Sequence, residues 1–273
     1  MTRLQRGFTL MEAVVVMVLT GILVGAVMVF IQAPILGYTD TARRAEITDT
    51  ADTAVRRIAR DLHLALPNSV RITGSNQVLE FLSTRTGGRY RYATDAGAGD
   101  ILDFSAADTS FDVLGPAIAQ QTGDQIVVFN LGIPGADAYN GDNRSNFVSA
   151  AGNTITLASK LFPFDSPSHR FQVVDKPVTY FCDLTAGKLW RYFGYTIQAL
   201  QTSTDTIVEL DALVTPATAT KGKSLLAQNV SACAFVYDSS VTERSGLVSL
   251  RLSFTQSGET VSLYHAIHVS NVP

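Results

Sequence analysis

The residues able to do chemistry are few and scattered. Glu12 stands at the head of nineteen uncharged residues, 13–31, and closes the run Gly7-Phe8-Thr9-Leu10-Met11-Glu12. A carboxylate at that place in lipid costs on the order of 2–3 kcal/mol unless it is paired, and the apolar run supplies no cation. Cys182 and Cys233 are the two cysteines. They are too few for a four-cysteine metal site and lack the CxxC spacing of a redox pair. His265 and His268 form HAIH, a possible zinc pair, but on a strand positions i and i+3 point to opposite faces. His265 shares its face with apolar residues and reads as a core histidine. Gly222-Lys223-Ser224 has the end of a phosphate loop, yet Ala217 stands where that loop needs glycine. Asp137, Asn140, Asp142 and Asn143 in GADAYNGDN offer oxygen ligands for calcium, with Asp137 and Asp142 as the candidates. The spacing is not that of an EF-hand, and an ordinary polar turn explains it as well. Arg89-Tyr90-Arg91-Tyr92 interleaves bases with aromatics, as a single-strand nucleic-acid site does. A half-buried strand gives the same alternation. There is no GxSxG nucleophile elbow. These residues make no convergent catalytic set, so neither an enzyme nor a cofactor is expected.

The elements around these residues are plainer. Apolar residues are 46% of the 273 and charged residues 16%, so the chain is neither disordered nor highly charged. A net charge of −3 gives no electrostatic case for nucleic acid. Residues 13–31 as a helix rise about 28 Å, one hydrocarbon core. The run exceeds a signal-peptide core, and QAPILG after it offers no cleavage site of the small-x-small kind. Arg3 and Arg6 precede it, so the N-terminus is expected in the cytoplasm and the rest outside. Gly21 and Gly25 form a small-xxx-small pair suited to close helix packing. Pro34 is expected to kink or break the helix. From Tyr38 the helix resumes to Leu66, with Ile47, Ala51, Ala54, Val55, Ile58, Leu62, Ala65 and Leu66 on one stripe. Pro67 and Asn68 stop it.

Beyond Val70 the period becomes two. Strands are expected over QVLEFLS (77–83), RYRYAT (89–94), QIVVFNL (125–131), TITLA (154–158), FQVVD (171–175), VTYFCD (178–183) and KLWRYFGY (188–195). The C-terminus reads as a hairpin. Val248, Leu250, Leu252 and Phe254 face Val261, Leu263, His265, Ile267 and Val269 across QSGE. The fold class is α+β: a long helix, transmembrane then amphipathic, packed on an antiparallel β-rich domain. In an oxidising compartment Cys182 and Cys233 form a disulfide, worth about 4 kcal/mol for a loop of this length. Two buried thiols are the alternative.

Gly7-Phe8-Thr9-Leu10-Met11-Glu12, behind a short basic leader and before an apolar stretch, resembles the processing signal of type IV pilins and pseudopilins. VTYFCDLTAGKLWRYFGY and the block from SLLAQNVSACAFVYD to the C-terminus resemble MshO-type minor pilins of mannose-sensitive haemagglutinin (MSHA) pilus systems. The J-type minor pseudopilins of type II secretion are the near alternative, and a filament-borne adhesin is a third reading. The resemblance is least over residues 95–170. It implies a cleaved cytoplasmic leader (1–7), a transmembrane and filament-core helix (8–37), an amphipathic helix (38–66) and a periplasmic β-rich domain (67–273). It implies that a prepilin peptidase cuts between Gly7 and Phe8 and methylates the Phe8 amine. Glu12 would then pair with the amine of a neighbouring subunit. The implied partners are that peptidase, other minor and major pilins, the inner-membrane assembly platform and the lipid bilayer. The implied place is the inner membrane, single-pass, and then the filament.

Overall fold

In a computed structural model, residues 7–73, 75–242 and 245–273 are described. Residues 1–6 of the expected leader, with Arg3 and Arg6, lie outside them. The chain divides into two units, one ending at Asp49 and one spanning Thr50–Pro273.

The first unit is helical. Helix α1 runs Leu10–Leu62 without interruption and contains Pro34, so the break expected there is not seen. A proline removes one i→i−4 bond, and the turns on either side can carry the helix through. The large apolar side chains from Val14 to Ile31 are exposed along this unit. The span is long and apolar enough to cross a membrane.

The second unit begins with the last turns of α1. Ala51, Ala54, Val55, Ile58 and Leu62 are buried, a stripe spaced 3, 1, 3 and 4. The helix ends at Leu62, four residues short of the expected Leu66. Leu66 N–H donates to Leu82 O at 2.8 Å and Thr84 N–H to Leu64 O at 2.7 Å, so residues 64–66 pair with a strand instead. Pro67 biases Leu66 toward the extended backbone this needs.

Among the described residues, nine strands form one antiparallel sheet. They are β1 (Arg71–Thr73), β2 (Val78–Tyr90), β3 (Asp108–Leu114), β4 (Gln125–Val128), β5 (Arg144–Ala151), β6 (Thr154–Lys160), β7 (Arg170–Asp183), β8 (Lys188–Phe193) and β9 (Gly222–Gln228). The order is β1-β2-β3-β6-β5-β4-β7-β8-β9, with a further β2–β7 pairing. That pairing closes β2, β3, β6, β5, β4 and the first half of β7 into a ring. Its core holds Tyr90, Phe111, Val113, Ile126, Ile155, Phe171 and Val173. The Phe111 and Phe171 rings meet edge-on at 5.0 Å. The second half of β7 leaves the ring to pair with β8.

Several strands differ from expectation. QVLEFLS and the first two residues of RYRYAT are one strand, β2, which ends at Tyr90. FQVVD and VTYFCD are likewise one strand, β7, running through Pro177 opposite Leu82 at a ladder irregularity. A proline is tolerated there because it has no N–H to place in the ladder. QVLEFLS is buried on both faces, because both are covered. On one face Tyr180 and Arg191, paired across β7 and β8, reach Asp61 of α1. On the other lie Glu80, Thr179 and Tyr192, under residues 195–206 and helix α2 (Ile207–Val214). Gly194 turns the chain toward that cover at φ 77°, and a Cβ there would fall 1.9 Å from Thr220 O.

A second sheet has the order β10 (Val230–Thr242), β11 (Ser245–Gln256) and β12 (Glu259–Ser270). The expected hairpin is present, with Phe254 opposite Val261 and Val248 opposite Ile267. Val248, Leu250, Leu252, Phe254, Ile267 and Val269 are buried. His265 sits opposite Leu250 but is exposed, not in the core. It lies mid-way along an edge strand that nothing covers at that point. Cys182 and Cys233 form a disulfide joining β7 to β10, with Cα atoms 6.4 Å apart.

Candidate functional site

Gly7 and Phe8 precede α1 and are exposed. Thr9 caps the helix: its Oγ1 accepts from Glu12 N–H at 3.3 Å, and its carbonyl accepts from Ala13 N–H at 3.2 Å. The Gly7–Phe8 peptide is therefore outside the helix and open. Glu12 lies in the first helical turn, where the helix dipole favours a negative charge. Its carboxylate has no ion-pair partner among the described residues and lies between exposed Met11 and the apolar run. An added Cβ at Gly21 or Gly25 would meet nothing within 4 Å, so this unit presents a shallow notch for a close-packing helix.

The other sequence candidates are spread apart. Asp142 Oδ2 accepts from Gly135 N–H (3.0 Å) and Asp137 N–H (3.2 Å), while Asp137 Oδ1 accepts from Tyr139 N–H (2.8 Å). Both carboxylates are spent on their own turn. No group of three or more His, Cys, Asp or Glu is placed to hold a metal among the described residues. His265 and His268 point to opposite faces, beside Leu250 and Leu247. Gly222, Lys223 and Ser224 are in strand β9, so they form no loop before a helix. Tyr90 is buried with its hydroxyl donating to Asp165 at 2.6 Å, and Arg91 pairs with Asp95 and Asp112. Tyr92 stacks on His169 at 4.0 Å. The four residues of RYRY thus do not line one surface.

Three buried carboxylates among the described residues escaped sequence reasoning; Asp124 pairs with Arg85 at 3.1 Å, and the other two tie separate elements together. Asp61 Oδ2 accepts from Tyr180 OH at 2.8 Å and from Arg191 Nε at 2.6 Å, and Arg57 Nε lies 3.2 Å from Oδ1. Glu80 is fully buried. It accepts from Tyr195 OH at 3.0 Å, Thr204 Oγ1 at 2.8 Å and Arg71 Nε at 3.1 Å. Tyr195 OH also bonds Thr179 Oγ1. Arg71 continues to the carbonyls of Gln198 and Ala199 and lies over the Tyr139 ring at 3.5 Å. Burial raises the Glu80 carboxyl above its ordinary value, with Arg71 and the two hydroxyls pulling it back. Each polar atom here is engaged with protein, which suits a clamp holding residues 195–206 on the sheet. Nothing in the sequence signals it, since its partners are up to 124 positions away.

Residues 2–28 match the family model of the prokaryotic N-terminal methylation motif. No curated protein and no solved structure matches the chain. The match covers the Gly7–Phe8 junction, Glu12 and most of the apolar run. It supports a type IV pilin-like or pseudopilin-like protein anchored by a single N-terminal helix.

Proposed function

We propose that the chain is a minor pilin, of the MSHA type, acting in filament assembly as a structural subunit rather than an enzyme. The observation that carries the pilin reading is Glu12, without an ion-pair partner among the described residues, on the first turn of an exposed apolar helix inside a matched methylation motif; the MSHA type rests on the resemblance of the two cysteine-bearing blocks. In this reading prepilin peptidase cuts the open Gly7–Phe8 peptide and methylates the new amine. The helix then holds the subunit in the inner membrane until the assembly platform extracts it. In the filament the apolar face packs among other pilins, and the Phe8 amine of one subunit offsets the Glu12 charge of the next. Such a pair has most value where water is excluded. The β-rich unit, outside the membrane, primes assembly or stands near the filament tip.

Replacing Glu12 by alanine tests this in the native host. The expected result is normal membrane insertion and processing, with filament number and subunit incorporation sharply reduced. Unchanged filaments with the alanine subunit incorporated at the wild-type level overturn the role given to Glu12. Crosslinked neighbours drawn from a type II secretion system would move the subunit to the pseudopilus.

A further inference from the structure

Among the described residues, strand β9 ends the nine-stranded sheet, with β8 on one side and no strand on the other. No backbone hydrogen bond joins its outer edge to another segment among the described residues. Beside that edge lies a groove of about 500 Å³ within the second unit, between the last turns of α1 and strands β8 and β9. Arg57, Arg60 and Arg191 line it together with Phe193, Ser224 and Leu226, and no acidic residue does. Among the described residues Asp61, beneath, is the one carboxylate paired to these arginines, and it is already taken by Arg191 and Tyr180. Arg57 Nε, though 3.2 Å from Asp61 Oδ1, makes no hydrogen bond and is buried. Arg60 is exposed and has no ion-pair partner among the described residues. The groove therefore carries uncompensated positive charge next to unpaired main-chain groups.

The register links the two features. Ser224 pairs with Arg191, so both side chains leave the sheet on the groove side. A strand added to β9 would put every second side chain on that side too. We infer that the β9 edge and the arginine groove dock an extended, acidic segment of another protein chain. Its Asp or Glu carboxylate sits against Arg57 and Arg60, and an apolar side chain two positions away rests on Leu226 and Phe193. Main-chain bonds along β9 supply affinity, and the guanidiniums select the acidic partner. The Gly222-Lys223-Ser224 stretch serves as the edge of this site, with Lys223 held aside by Asp211 at 2.7 Å. The inference stands apart from the filament reading, since neither feature involves the N-terminal unit.

The test places a photoreactive benzophenone residue at Ser224 in the full chain, in membranes of the native host. The expected adduct is with one protein, at a peptide containing Asp or Glu. Arg60→Glu should lower its yield about five-fold, and Arg60→Lys should retain it, as for one exposed ion pair reversed or kept. Intact Cys182–Cys233 oxidation in each variant shows that the fold is preserved. Four outcomes overturn the inference: no protein adduct, a lipid adduct, an adduct peptide without an acidic residue, or a yield indifferent to Arg60→Glu. The N-terminus of the same sample reports on processing separately, so the filament reading can fail while this one stands.

Discussion

Asp61→Ala examines how the end of α1 is fixed to the sheet. Asp61 is 8% exposed, and its Oδ2 takes both the Tyr180 hydroxyl and Arg191 Nε. Alanine would leave a fully buried phenol without an acceptor and a guanidinium, 15% exposed, without its counter-charge. Breaking a buried pair on one side costs about 3–5 kcal/mol. The groove beside Arg57 and Arg191 admits water, which places the expected loss near the lower end, about 3 kcal/mol. For a unit of this size each kcal/mol moves Tm by about 2–4 °C, so a fall of about 6–12 °C is expected. Asp61→Asn, which keeps one acceptor for Tyr180, should lose about half as much. Tyr180→Phe removes the orphaned donor, so the Asp61→Ala/Tyr180→Phe pair should lose about 1–2 kcal/mol less than the two singles together. Thermal unfolding of the full chain in a mild detergent, followed by circular dichroism, measures wild type and the four variants. A Tm for Asp61→Ala within about 2 °C of wild type, or strict additivity with Tyr180→Phe, would refute the reasoning.

Two further perturbations follow. Replacing both cysteines with alanine opens the 51-residue separation between Cys182 and Cys233 and frees β10 from β7. The chain-entropy model gives a loss of about 4 kcal/mol, read as a lower urea midpoint, and a midpoint equal to that of the oxidised wild type would contradict it. Glu80 has a raised carboxyl pKa in the folded chain, so the folded state holds its proton more tightly than the unfolded state does. Wild-type stability therefore declines from this source as pH climbs above the ordinary glutamate value of 4.5 toward the raised one. Glu80→Gln cannot titrate. The stability of Glu80→Gln minus that of wild type should become more positive over that window, by at most about 1.4 kcal/mol per pH unit. A difference that stays flat or moves the other way from pH 4 to 7 defeats the assignment.

Local patterns were readable in the residues, and closure was not. The stripe from Ala51 to Leu62 and the alternation from Val248 to Val269 are each set by neighbours in sequence, so period alone found them. His265 fits the same alternation, but exposure depends on what lies over an edge strand, which no local pattern reports. The expected strands stop at Ser83 and Asp175 and resume at Arg89 and Val178, leaving Gly87, Gly88, Lys176 and Pro177 between them. They are interior positions of β2 and β7, whose long mutual ladder closes the ring. That ladder joins residues about a hundred positions apart, beyond any periodicity. Helix α2 had a usable signal: Thr206 and Glu209 form a capping box, with both reciprocal bonds present. Gly7, Phe8 and Glu12 fall inside the matched motif, and the sequence could single them out because that motif is contiguous. It could not single out the arginine groove, since that joins one helix turn to two strands more than 130 positions away.

The most direct test of the account is the intact mass and N-terminal sequence of the protein from native membranes. The account predicts a chain that begins at N-methylated Phe8 and gains about 2 Da on reduction of its one disulfide. A chain that keeps Met1 in the presence of active prepilin peptidase, or one cut beyond Ile31, would contradict it.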